Sequence, residues 1–157
     1  MGKITGLDAA NPCFEGHPGS FLSKGDAKFV DAIHTNGCPY IPFLGYIASP
    51  LSFGFVEPFA DLDFFVNGGC LQPKCLGYVL NVLAYVDCNH VASIVYYSAS
   101  ISLKDTCPLY GCKNEGGKCD ATNSDTLFGY FDNSTAIGNR YVNTEVPCYA
   151  NVTIPLL

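Results

Sequence analysis

The chain has 157 residues, 48% of them hydrophobic and 14% charged, with a net charge of −6. That balance fits one globular domain or a piece of one and excludes a disordered chain. Eight scattered Lys and Arg residues form no basic stripe, which excludes nucleic-acid binding, and no stretch reaches the roughly 18 apolar residues of a membrane span.

Lys3–Leu7 reads as a short buried strand that delivers Asp8 at its C-terminal end. Residues 9–24 form a loop rich in Gly, Pro and Ser. Residues 29–35 alternate and carry β-branched side chains, which predicts a second strand. The prolines and glycines of residues 36–58 predict irregular chain or an extended hairpin. Leu62–Val66 is a third expected strand, stopped by Asn67-Gly68-Gly69. Cys75 and Cys88 bracket a nearly all-apolar segment, residues 76–87. Asn89 is the expected N-cap of a helix over residues 89–103, because Val91, Ile94, Val95, Ser98 and Ile101 recur at helical spacing. Residues 107–125 form a polar, cysteine-bearing loop, and residues 127–131 and 140–144 are expected closing strands.

A strand ending in Asp8 and a much later histidine, His90, near a helix start form the second half of the order Ser…Asp…His found in α/β-hydrolases. The chemistry needs both groups. A serine hydroxyl is a poor nucleophile until a neutral imidazole takes its proton, and a carboxylate must fix the imidazole tautomer. Taken singly, Asp8 is a turn or cap residue and His90 a cap or packing residue. His17, in a Gly/Pro loop, and His34, at a strand end, read as structural or solvated.

Nine cysteines with no zinc-like pairs, and sequons at Asn133 and Asn151, point to an oxidising, secretory compartment. No apolar leader follows Met1, so a secreted chain of this kind is expected to begin upstream, and the odd cysteine count agrees.

In these motifs the chain resembles the pancreatic-lipase family of secreted triglyceride lipases and phospholipases A1. Ile4-Thr5-Gly6-Leu7-Asp8-Ala9-Ala10 resembles its acid-bearing strand end, and residues 26–35 its next strand. Leu62-Asp63-Phe64-Phe65-Val66-Asn67-Gly68-Gly69 with Gln72-Pro73-Lys74-Cys75 resembles the approach to its lid. Cys88-Asn89-His90 with Tyr96-Tyr97-Ser98-Ala99-Ser100-Ile101 resembles its histidine helix.

The resemblance implies an α/β fold: an incomplete α/β-hydrolase, with residues 1–157 a single partial lipase domain. Its parts would be the acid strand (3–8), the lid (75–88), the histidine helix (89–103) and the disulfide loop (107–125). Asp8 would be the triad acid and His90 the general base of a lipid carboxylic-ester hydrolase acting at an interface, without metal or cofactor. Cys75 and Cys88 would close a short lid carrying Tyr78, Leu80, Leu83 and Tyr85. That segment is either a flap that meets lipid or a piece of the core. Cys107–Cys119 and Cys112–Cys148 are the other expected bridges, with Cys13, Cys38 and Cys70 unassigned.

The chain also departs from the family. No G-x-S-x-G occurs; the nearest approach, Ser52-Phe53-Gly54, has Pro50 at the first glycine and lies after Asp8. The oxyanion donors belong to the same missing region. Losing the serine of a triad costs about 10⁶ in rate in a protease, so the chain alone is expected to be silent. Ser23 and Lys24 beside Asp26 make a poor oxygen cage, so no structural calcium is expected. The rival reading is a non-catalytic secreted lipid-binding relative. Absent early strands would also leave a raw sheet edge that invites self-association.

Overall fold

A computed structural model describes residues 2–11, 14, 16–17, 19–38, 40–41, 45–46, 52–113, 119, 121–132 and 135–156. The strands are β1 (Lys3–Leu7), β2 (Phe29–His34), β3 (Tyr40–Ile41), β4 (Gly45–Tyr46), β5 (Leu62–Val66), β6 (Tyr110–Gly111), β7 (Thr126–Leu127) and β8 (Gly138–Val142). One long helix, α1 (Val82–Ser102), and short 3₁₀ turns at Asn67–Gly69, Pro73–Tyr78 and Pro147–Tyr149 complete the elements.

Four strands form one sheet in the order β1-β2-β5-β8, every pair parallel. A parallel sheet requires cover on both faces. On one face Ile33, Leu62, Phe64, Val66 and Val142 pack with Val91, Ala92 and Tyr96 of α1. On the other, Val30 and Ala32 meet Ala60, Leu22 and Phe59. The expected α/β layering is therefore present, with β1 at one edge of the sheet. β3 and β4 pair antiparallel, a small hairpin within residues 36–58.

The helix starts earlier than its periodicity implies. Asn81, not Asn89, is the N-cap, and its side chain accepts from the Ala84 N–H at 3.3 Å. The apolar run through residues 82–87 hid the amphipathic period; Tyr85 and Val86 are buried, whereas Leu83 stays exposed. Asn89 is an interior, buried helix residue whose amide bonds sideways.

The closing strands also shift. β7 stops at Leu127, and Gly129, at φ 97°, turns the chain where an added Cβ would collide with the Ser100 hydroxyl. β8 runs Gly138–Val142 rather than 140–144, because the Thr144 N–H leaves the ladder for the Asn67 side chain. The observed bridges are Cys38–Cys70, Cys75–Cys88, Cys107–Cys148 and Cys112–Cys119. Cys75–Cys88 is as expected; the pairings Cys107–Cys119 and Cys112–Cys148 are replaced. β6 and the Cys112↔Tyr141 bridge lay Cys112 along β8, within its own loop's reach of Cys119. Cys13 lies outside the described residues.

Arg140 of β8 is 3% exposed and forks onto Asp125, with Nη2 donating to Oδ2 at 2.6 Å. That hydrogen bond holds the Asp125 carboxyl below the usual carboxylate range. A carboxyl depressed in the folded state stabilises fully above its ordinary value of 3.8, and the gain is lost as pH falls through the depressed one. Asp125 is 42% exposed, so solvent screening limits the pair to about 1 kcal/mol. Asp125→Asn is therefore expected to lower the denaturation midpoint by a constant amount near neutral pH. The difference should vanish in strong acid, as urea titrations at several pH values would show.

Candidate active site

Asp8 sits where β1 ends, in a left-handed conformation (φ 47°) that Asp tolerates better than most residues. Its own N–H continues the β2 ladder, donating to the Ile33 carbonyl at 2.7 Å. The carboxylate is fully buried. Oδ1 accepts from the Thr35 and Asn36 N–H groups at 2.8 and 2.9 Å. Oδ2 lies 2.7 Å from Nδ1 of His90. Burying a charge unpaired is costly, and these three donors answer it.

The expected contact between Asp8 and His90 is thus made across 82 residues of sequence. An ionised carboxylate only accepts, so His90 Nδ1 carries a proton, and in the neutral ring Nε2 then keeps its lone pair. The ring is 31% exposed and rests edge-on against Phe53, centroids 5.4 Å apart. A base with one nitrogen fixed and the other open to a reactant can take a proton from an alcohol or water.

A buried polar network sets the position of α1 over the sheet. Asn89, next to His90, accepts from the Gln72 N–H at 2.6 Å. The Gln72 amide donates to the Thr35 and Val66 carbonyls at 2.9 and 3.1 Å, tying the ends of β2 and β5 together. The Asn36 side chain donates to the Val86 carbonyl at 3.1 Å. The Cys75–Cys88 bridge clamps the same turn of α1.

Residues 52–55 roof the acid. Asn11 N–H donates to the Phe53 carbonyl at 2.7 Å, Phe55 N–H to the Ala9 carbonyl at 3.1 Å, and Gly54 N–H to the Asn36 carbonyl at 3.2 Å. Ser52, the nearest sequence approach to an elbow serine, spends its hydroxyl on the Asn36 and Gly54 carbonyls at 2.8 and 3.0 Å and is buried. Sequence reading missed Asn36, Gly54, Gln72 and the pairing of His34 with Asp63. Only the failed elbow, Ser52-Phe53-Gly54, carried a hint of the roof. Of the two competing histidines, His17 is exposed and His34 is buried.

The segment expected as a lid divides between the two readings. Cys75, Cys88 and Tyr85 are buried, and Tyr78, Val79 and Val82 pack against the core. Leu80 is 98% exposed and Leu83 76%, with Leu76 exposed beside them. Asp26 turns into its own loop, accepting the Ser23 N–H at 2.8 Å. Among the described residues no group of three or more His, Cys, Asp or Glu side chains is placed to hold a metal. Asn133 lies outside the described residues; Asn151 is exposed.

A family model described as "Lipase" matches residues 1–130. The chain belongs to the lipase family. It is 43% identical over 113 residues to a pancreatic triacylglycerol lipase of Ictidomys tridecemlineatus, covering 64% of this chain and 23% of that one. It is 40% identical over 126 residues to pancreatic lipase-related protein 2 of Rattus norvegicus, 73% of this chain and 25% of the relative. Human pancreatic triacylglycerol lipase is 40% identical over 124 residues, 71% and 25%. This lipase-family chain therefore spans about a quarter of the length of the curated relatives it matches. No helix among its described residues is long and apolar enough to cross a membrane.

Proposed function

We propose that this chain carries the acid and general base of a secreted lipid carboxylic-ester hydrolase of the lipase/phospholipase A1 type. The observation that carries the reading is the 2.7 Å contact between the buried Asp8 carboxylate and His90 Nδ1. Asp8 fixes the tautomer and steadies the imidazolium as it forms. His90 Nε2 takes the proton of a serine hydroxyl and returns it to the leaving alkoxide. This sequence contains no G-x-S-x-G, so the reading requires a serine and oxyanion donors from other polypeptide. The edge strand β1, which presents Asp8, is the natural dock for it; left bare, that edge would pair with a second copy. Leu76, Leu80 and Leu83 give the Cys75–Cys88 segment, with the half-buried Tyr78, an apolar surface for an aggregated ester substrate, whereas Tyr85 stays in the core. Asn151 is a site for glycosylation in the secretory path.

The test is ester hydrolysis on short- and long-chain substrates, by the chain alone and by the chain fused behind the elbow-bearing region of a relative. The chain alone is expected to be silent and the fusion active, with His90→Ala lowering turnover by about 10⁴ or more. A fusion that folds and stays inactive, or one indifferent to His90→Ala, overturns the reading. Binding of phospholipid vesicles by that inactive fusion would favour the lipid-binding alternative.

A further inference from the structure

A second histidine–carboxylate pair lies beneath the first. His34, at the end of β2, and Asp63, in β5, are each 1% exposed, with His34 Nε2 2.8 Å from Asp63 Oδ1. The other ring nitrogen, Nδ1, is 3.1 Å from the Phe55 carbonyl oxygen. The ring is stacked flat on Phe65 at 4.5 Å and meets Phe59 edge-on at 5.5 Å, so it has no room to turn.

A carbonyl oxygen only accepts, so Nδ1 carries a hydrogen. The Asp63 carboxyl also accepts the Phe59 N–H at 3.1 Å and the Ala60 N–H at 3.3 and 3.2 Å. One buried ring thus bridges the Phe55 carbonyl and Asp63.

The Phe55 carbonyl is the far end of the roof over Asp8. It is pressed so close to Gly37 that a Cβ there would stand 2.5 Å from it. Phe55 N–H ties the roof to Ala9, Gly54 faces the Asp8 carboxylate, and Phe53 braces the His90 ring. We propose that His34, anchored by Asp63, is a positioning residue for the Asp8–His90 pair, acting through the Phe55 carbonyl and residues 53–55. Its consequence for catalysis rests on the proposed function; its effect on the geometry does not.

The experiment exploits the two ring nitrogens. An Asn amide reaches the place of Nδ1, and a Gln amide the place of Nε2. His34→Asn and His34→Gln are each made with Asp63→Asn, so that neither leaves a buried charge unpaired. The chain is labelled with ¹⁵N-histidine, and solvent exchange of the His90 Nδ1 proton is measured by NMR. The Asn variant keeps the donor to Phe55 and is expected to hold the signal as in the parent. The Gln variant loses that donor, and exchange is expected to be about tenfold faster, the scale of one lost hydrogen bond. Equal behaviour of the two variants overturns the proposal, since a merely structural ring would not distinguish them. Should either variant fail to fold, the parent decides: a through-hydrogen-bond coupling between His34 Nδ1 and the Phe55 carbonyl carbon supports the proposal, and its absence overturns it. No activity is read, so a failed hydrolysis assay leaves this outcome untouched.

Discussion

Gly54→Ala is expected to destabilise the chain by about 3 kcal/mol or more, although it adds a single methyl group. The new Cβ would stand 2.4 Å from Asp8 Oδ1, 2.6 Å from Cγ and 2.7 Å from Oδ2. The carboxylate has nowhere to retreat, because it is fully buried and held by the Thr35, Asn36 and His90 donors. The roof cannot lift either, since residues 53–55 are tied to Asn11, Asn36 and Ala9. Either the acid leaves its hydrogen bonds or the roof leaves its own, and both strand buried polar groups. Urea unfolding measures the loss, and the His90 Nδ1 proton signal reports whether the pair survives. A double-mutant cycle locates the clash. Asp8→Gly suits the positive φ at that position and removes the obstructing group. In that background the penalty of Gly54→Ala should fall to about 1 kcal/mol or less. An undiminished penalty would place the collision elsewhere and refute the roof.

The sequence displayed its acid and base because their signals are local. β1, β2 and β5 are short apolar strands with clear stops, and Asp8 follows β1 directly. The start of α1 was not legible, because residues 76–87 are nearly all apolar and offer no period to read. The real boundary signal, the Asn81 cap, lies inside that run. β8 begins Gly-Asn-Arg, residues without strand preference. It exists because β5 offers a free ladder edge and Asp125 forks with the buried guanidinium of Arg140. Disulfide partners could not be read from spacing, since Cys107 and Cys148 meet only after β8 and the Pro147–Tyr149 turn are placed. The groups supporting the acid escaped for a different reason. Asn36 and Gly54 act on the acid through their backbones, and backbone contacts such as Asn36 N–H to Asp8 and Gly54 N–H to the Asn36 carbonyl leave no mark on residue type. His34 was visible as a strand-end histidine, but its partner in β5 appears only when β2 and β5 pair.

Asp8→Asn and Asp8→Ala are expected to separate the fold from the chemistry. Asn shares Asp's tolerance for the left-handed conformation, and its Oδ1 can still accept from Thr35 and Asn36. The stability loss should stay within about 1 kcal/mol. Its amide nitrogen, however, is a donor aimed at His90 Nδ1, which must turn acceptor and send its proton to Nε2. The nitrogen needed as the base is then blocked. The tautomer change is readable directly from the ¹⁵N shifts of the His90 ring in the chain alone. In a fusion that supplies the serine, turnover should fall about 10⁴-fold. Asp8→Ala removes every acceptor and leaves two buried N–H groups unpaired, at about 1–3 kcal/mol each, so its loss should exceed 2 kcal/mol. Asn as destabilising as Ala would mean that the carboxylate's charge, rather than its hydrogen-bonding shape, holds the β1 end in place. An unchanged His90 tautomer in Asp8→Asn would mean that the imidazole is oriented by something other than this carboxylate, and the assignment of Asp8 as the orienting acid would fall with it.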